Sequence, residues 1–229
     1  MKTKILIIKK QVLISILLCI VAISVFCVTY FSVKVTNLHK PTYTIVIDAG
    51  HGGIDGGCVG ESGVNESTLT LKYAKTLEQY FSEFGFKVVM TRTNEGGLYG
   101  AFSGNKKKDD MQKRKQIIEN SSADVVVSLH MNSYPSQSSR GAQVFYNKDS
   151  ENSKSLAKSI QNQFLKSLVK PRKSCLPGDY YMVSCTEVPS VIVECGFVSN
   201  AEEEKLLLSD EYREKVCYSI LCGVVLYFD

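Results

Sequence analysis

Histidine is scarce in this sequence, with three among 229 residues. There is no acidic residue in the first forty positions and no charge between Lys10 and Lys34. No two cysteines stand at CxxC spacing, which argues against a structural zinc knuckle. No glycine fingerprint is complete: from Gly50 the pattern G-x-G-x-x-G reaches Asp55 where its last glycine is needed, and no Lys-Ser/Thr follows. A phosphate loop would also lead straight into a helix, whereas the next helical pattern starts about fifteen residues on. There is no internal repeat and no appended binding module. The formal charge of +4 is misleading, because six of the 27 basic residues lie in residues 1–40. The remainder carries 21 bases against 23 acids, too balanced a charge for a surface that neutralises nucleic-acid phosphates. A hydrophobic content of 44% excludes a disordered chain, and the length suits one well-buried domain.

The charge-free stretch Gln11–Val33 is the first thing that is present. As a helix rising about 1.5 Å per residue it would reach roughly 34 Å, enough for a hydrocarbon core of about 30 Å. Four lysines precede it, so residues 1–10 are expected in the cytoplasm, 11–33 as a transmembrane signal anchor, 34–42 as a linker, and 43–229 as an extracytoplasmic catalytic domain. A cleaved signal peptide is the rival, but its apolar region is usually only about 7–15 residues. Six cysteines lie in the exported part: Cys58, Cys175, Cys185, Cys195, Cys217 and Cys222. Most are read as free thiols packed as small hydrophobes rather than as disulfides.

From residue 43, strand and helix patterns alternate. Strands are expected at Tyr43–Ile47, Phe86–Met90, Asp124–Leu129, Gly141–Tyr146, Tyr180–Val183 and Val191–Val193. Helices are expected at Asn65–Phe84, capped by Asn65 and ended by Gly85, and at Met111–Asn120, Ser153–Val169 and Glu211–Phe228. Asn94–Asp110 and Pro171–Asp179 read as loops. The pattern implies a single α/β domain, a mostly parallel twisted sheet with helices on both faces.

Three apolar runs end in residues that can do chemistry. Ile45-Val46-Ile47 leads to Asp48 and His51, Val125–Leu129 to His130, and Val191-Ile192-Val193 to Glu194. Ligands of open α/β sheets bind beyond the carboxyl ends of the strands, so parallel neighbours would gather these side chains on one rim. Catalytic zinc sites use three protein ligands and leave one position open. His51 and His130 supply two, His39 being in the linker. The third is a carboxylate or a thiol, with Glu66 favoured, because the first turn after Asn65 would aim it at the rim. Glu61, Asp48, Asp55 and Cys58 compete. Glu194, in an apolar setting that raises a carboxylate's pKa, is either a fourth ligand or a proton carrier. Asn132 and Arg92 would orient substrate or brace the site. Gly52 and Gly53 would leave His51 unobstructed at an open cleft. The bland alternative is a set of structural histidines and an ion-paired glutamate, which three such residues at three strand ends make less economical.

In combination, Asp48-Ala49-Gly50-His51-Gly52-Gly53, Asn65-Glu66, Thr91-Arg92, Ser128-Leu129-His130-Met131-Asn132 and Val193-Glu194-Cys195-Gly196-Phe197-Val198-Ser199-Asn200 resemble the zinc-dependent N-acetylmuramoyl-L-alanine amidases, the Amidase_3 family, over nearly all of residues 43–229. The resemblance implies that His51, Glu66 and His130 bind one zinc ion and that Glu194 is the catalytic carboxylate. It implies a peptidoglycan substrate cut between N-acetylmuramic acid and L-alanine. The layout, with Leu98-Tyr99-Gly100 and Arg140–Tyr146, looks most like the CwlD-type spore-cortex subgroup. That implies a role in muramic-δ-lactam formation during sporulation and germination, a partner deacetylase, a lipoprotein activator, and a domain facing the space around the forespore. A zinc peptidase, a vegetative autolysin and a catalytically silent wall-binding protein are the rival functions.

Overall fold

The computed structural model describes residues 12, 15, 17–26 and 43–229. The chain divides into two compact units, residues 1–41 and 42–229. In the first, the described residues are helical and exposed. Among the described residues no helix is long and apolar enough to cross a membrane, and much of the anchor expected over 11–33 lies outside them.

The second unit is built from β1 (Thr44–Ala49), α1 (Glu66–Phe84), β2 (Lys87–Met90), α2 (Lys106–Asn120), β3 (Val125–Asn132), β4 (Gln143–Tyr146), α3 (Glu151–Ser167), β5 (Leu176–Pro177), α4 (Tyr181–Ser184), β6 (Ser190–Phe197), α5 (Ala201–Leu208) and α6 (Asp210–Phe228). The strands form one sheet in the order β2-β1-β3-β6-β4-β5. β2, β1, β3 and β6 run parallel, while β4 is antiparallel to β6 and parallel to β5. The sheet is therefore mixed, its parallel half carrying β1, β3 and β6 side by side.

Strand alternation sorts the core onto two faces. Ile45, Ile47, Val125, Val127, Val191 and Val193 pack with Leu69, Tyr73, Leu77 and Phe81 of α1, Leu156 and Ile160 of α3, and Val216 and Ile220 of α6. Val46, Val126 and Ile192 face the other way, against Ile118 of α2 and Met182 and Val183 of α4. Two short or polar elements cover this second face, so it closes less completely, and the site lies along it.

Several expectations need correction. Asn65 stands at the N-cap of α1 but its side chain makes no capping bond. The first amides are satisfied instead by the preceding loop, Glu66 N–H donating to Cys58 O and Ser67 N–H to Gly56 O. α2 begins at Lys106, five residues before the expected Met111, with Asn105 accepting from Lys108 N–H. The lysine run that reads as loop is a good helix former. Tyr180–Val183 is not a strand but leads into the single-turn α4, a short apolar run that periodicity cannot assign. α5 was not expected, although Asn200 caps it by accepting from Glu202 and Glu203 N–H. Gly85 ends α1 in the left-handed conformation as anticipated. All seven cysteines among the described residues are free, with Cys195 and Cys217 buried.

Candidate active site

Registered neighbours in a parallel ladder point to the same face. Asp48 pairs with Ser128, Ser128 with Ile192, and His130 with Glu194. Asp48, Ser128, His130 and Glu194 thus all face α2 and α4, near the carboxyl ends of their strands. The strands continue through His130 and Glu194 rather than stopping before them, and the β3–β6 register shifts between His130 and Asn132.

Glu66, the first residue of α1, reaches back to this rim. Its Oε1 lies 3.0 Å from His130 Nδ1 and its Oε2 lies 3.2 Å from His51 Nε2. The same carboxylate accepts from Met131 N–H and Cys58 N–H. Burial alone would raise its pKa, but the bonds and charges of His130 and His51 drive it far below the usual carboxylate range. For His51, burial opposes protonation, but Glu66 and then Asp55 outweigh it and raise the pKa. His51 Nδ1 is 3.0 Å from Asp55 Oδ1, an ion-pair distance without hydrogen-bond alignment. One donor atom from each of His51, Glu66 and His130 fits within 4.8 Å of the other two. Tetrahedral donors about 2.0–2.2 Å from a zinc ion stand about 3.4 Å apart. The donor chemistry and these short separations fit a divalent cation.

Two buried arginines hold the loop that presents His51. Arg92 donates to the carbonyls of Ala49, Gly50, Ser67 and Asn94. Arg114 donates to the carbonyls of Ala49 and His51 and to Asp48 and Asp110. Asp48 also accepts from Thr91 and Ser128 hydroxyls. Burial would raise the Asp48 pKa; the Arg114 charge and the two hydroxyls overcome that and hold it at about 2. The clamp keeps His51 at φ 60°, a left-handed conformation that is uncommon for a non-glycine residue.

The glycines of the loop make room for neighbours rather than for an open cleft. A Cβ on Gly50 would lie 2.4 Å from His130 Cε1, and one on Gly57 would lie 2.5 Å from Glu66 Oε2. A Cβ on Gly53 would lie 2.1 Å from Tyr99 Oη, which accepts from Ile54 N–H. Gly53 is also left-handed, at φ 62°. Gly53→Ala should therefore unseat Tyr99 and cost at least about 1 kcal/mol through the backbone alone. Urea denaturation would check this; an unchanged midpoint would count against the packing described.

Glu194 is buried beside this cluster, and its Oε2 has no hydrogen-bond partner among the described residues. Burial pushes its pKa up to about 7, with Glu66 adding to the rise and His130 and His51 pulling against it. A carboxyl group so placed can take up and release a proton near neutrality. Glu194, Glu66, Asn132 and Ser133 share one shallow cleft with the two histidines.

Of the competing ligands, Asp48 belongs to the Arg114 network, Asp55 stands behind His51, and Cys58 contributes its amide to Glu66. Glu61 meets Gln137 instead. Arg92 braces the loop, and Asn132 lines the cleft. Sequence reasoning missed Arg114, Asp110, Glu203 and Glu204. Glu203 accepts from Gly141 and Phe197 N–H, and Glu204 from Ser62 N–H, tying α5 to the loops around the site. The cap signal at Asn200 followed by acids could have revealed α5; nothing in the lysine-rich α2 marks Arg114 as buried.

The chain is 38% identical over 192 residues to a germination-specific N-acetylmuramoyl-L-alanine amidase of Bacillus subtilis, covering 80% of this chain and 79% of that relative. Its structure is similar to that of the CwlD amidase from Clostridioides difficile, solved in complex with the GerS lipoprotein, with a TM-score of 0.78 and 34% identity over 82% of this chain and 98% of that one. It is also similar to the catalytic domain of CwlV, an N-acetylmuramoyl-L-alanine amidase from Bacillus (Paenibacillus) polymyxa var. colistinus, with a TM-score of 0.73 and 30% identity over 82% and 99% of the two chains. The family model for N-acetylmuramoyl-L-alanine amidases matches residues 45–225. That span runs from the first strand almost to the end of the last helix and takes in His51, Glu66, His130 and Glu194, so the chain belongs to the Amidase_3 family of N-acetylmuramoyl-L-alanine amidases.

Proposed function

We propose that the chain hydrolyses the amide between the lactyl group of N-acetylmuramic acid and L-alanine, with a zinc ion held by His51, Glu66 and His130 and with Glu194 as proton carrier. The observation that carries this is the convergence of the two histidines and Glu66 next to a buried carboxyl whose Oε2 has no hydrogen-bond partner among the described residues. Bound at the three side chains, zinc would supply Lewis acidity toward the scissile carbonyl and toward water. The protein's own part is positional. Asp55 stands against the outer ring nitrogen of His51, and Arg92 and Arg114 fix the His51 loop by its carbonyls. Glu194 takes the proton of the attacking water and returns it to the alanine nitrogen as the C–N bond breaks, so the carbonyl carbon leaves as a carboxylate and the peptide as an amine.

Mass spectrometry of digested muropeptides tests the reaction. The expected products are a glycan with a free lactyl carboxylate and a peptide with a free alanine amine. Cleavage inside the stem peptide, with the lactyl amide intact, would make the chain a peptidase instead.

The names of the Bacillus subtilis relative and of the Clostridioides difficile neighbour support a place in germination and a lipoprotein partner. We extend both to this chain, with spore-cortex peptidoglycan as substrate and a deacetylase completing muramic-δ-lactam. The lysines of residues 1–10 and the uncharged Gln11–Val33 support an anchor that leaves residues 43–229 outside the cytoplasm.

A further inference from the structure

The His51–His130 pair borders two different spaces. One is the shallow cleft with Glu66, Asn132 and Glu194. The other is a cavity of about 420 Å³ between α2 and α4, within the range of about 300–1,000 Å³ typical of small-ligand sites. Its walls are mainly apolar or aromatic, with Met111, Tyr180, Tyr181, Met182 and Ile192 prominent.

Its charges are nearly all accounted for. Asp48 and Asp110 both pair with Arg114. Asp55 faces His51 and lies 3.8 Å from Lys107 Nζ. Lys106 differs. Among the described residues it has no carboxylate within ion-pair distance, and its ammonium sits 5.4 Å from the centre of the Tyr99 ring. Tyr99 is in turn fixed by Ile54 N–H and by the space that Gly53 leaves. Lys106 is half-buried as a residue, and an ammonium over an aromatic ring beside an apolar cavity can receive an anion carried by an otherwise apolar group.

A glycan strand runs on in both directions and is covered with hydroxyls, so it suits the shallow polar cleft. A stem peptide ends, and it carries methyl and methylene groups as well as carboxylates. We propose that the cavity between α2 and α4 receives the peptide side of the scissile amide, and that Lys106 selects stem peptides bearing a free carboxylate on the residue after L-alanine. This rests on the amidase reading above.

The test compares two synthetic muropeptides that differ in one group, a free carboxylate or a carboxamide on the residue that follows L-alanine. The wild-type protein should favour the carboxylate substrate by about tenfold or more in kcat/KM, mostly through KM. Lys106→Gln should erase the preference, raising KM for the carboxylate substrate while leaving kcat and the carboxamide substrate nearly unchanged. Lys106→Arg should restore much of it. Lys108→Gln, one exposed residue outside the cavity, should behave as wild type. Equal handling of both substrates by the wild type, or an equal loss on both in Lys106→Gln, overturns the assignment of Lys106. A wild-type protein that frees no peptide from either overturns the amidase reading itself, and the subsite with it.

Discussion

Glu194→Gln should lower peptide release from muropeptides by about 10²–10⁴-fold while the protein still binds one zinc ion per chain. Glutamine keeps the shape of the side chain but cannot accept and return a proton. Because the parent Oε2 has no hydrogen-bond partner among the described residues, the amide breaks no bond to them at that atom, and folding should be little affected. His51→Ala makes the contrast. It should lose the metal itself, because it removes one of three donor atoms and frees Glu66 Oε2 from its 3.2 Å contact. Metal content by atomic emission and turnover on purified muropeptides together separate the two roles. A near-wild-type rate in Glu194→Gln would remove Glu194 from the reaction, and undiminished zinc in His51→Ala would remove His51 from the ligand set.

Much of this arrangement was legible because burial on both sheet faces leaves a plain signature. Val125–Leu129 and Val191-Ile192-Val193 mark parallel inner strands, and the residue directly after each run, His130 in one and Glu194 in the other, marks the rim. The positions of His130 and Glu194 follow from that, including their shared register. Spacing alone left Glu66 in competition with four other residues, because the choice turns on where a helix start lies in three dimensions. What was not legible was the support behind the rim. Arg114 lies on a helix with five other basic residues between Lys106 and Lys115, and only the fold shows that it is the one turned inward onto Asp48, Asp110 and the carbonyl of His51. The glycines were misread for a related reason. A sequence shows that Gly53 has no side chain, but not that Tyr99 fills the space.

The buried arginine network carries the second large effect. Asp48→Ala should destabilise the domain by about 3–5 kcal/mol at neutral pH, the usual cost of removing one partner of a buried ion pair. Asp48 and Arg114 are 0% and 1% exposed, so water cannot replace the lost carboxylate. The hydroxyls of Thr91 and Ser128 lose their acceptor as well. Arg114 would retain Asp110 and its two carbonyl acceptors, which keeps the loss within that range and not above it. The same pair makes a pH prediction. The folded-state pKa of Asp48 is held at about 2, below its ordinary value of 3.8, so its contribution is fully present above the unfolded value and is lost as pH falls from about 4 to about 2. The pKa difference corresponds to stabilisation on the order of 2 kcal/mol, which Asp48→Asn should remove along with the pH dependence in that window. Urea unfolding of the metal-free protein at a series of pH values would measure both effects, free of any linkage to zinc. A cost below about 1 kcal/mol for Asp48→Ala, or an unaltered acid limb in Asp48→Asn, would show that the network does not carry the load its geometry suggests. If it does, the cost extends to function: the Arg114 that Asp48 holds is the donor to the His51 carbonyl, so Asp48→Ala should also weaken zinc binding without touching a ligand.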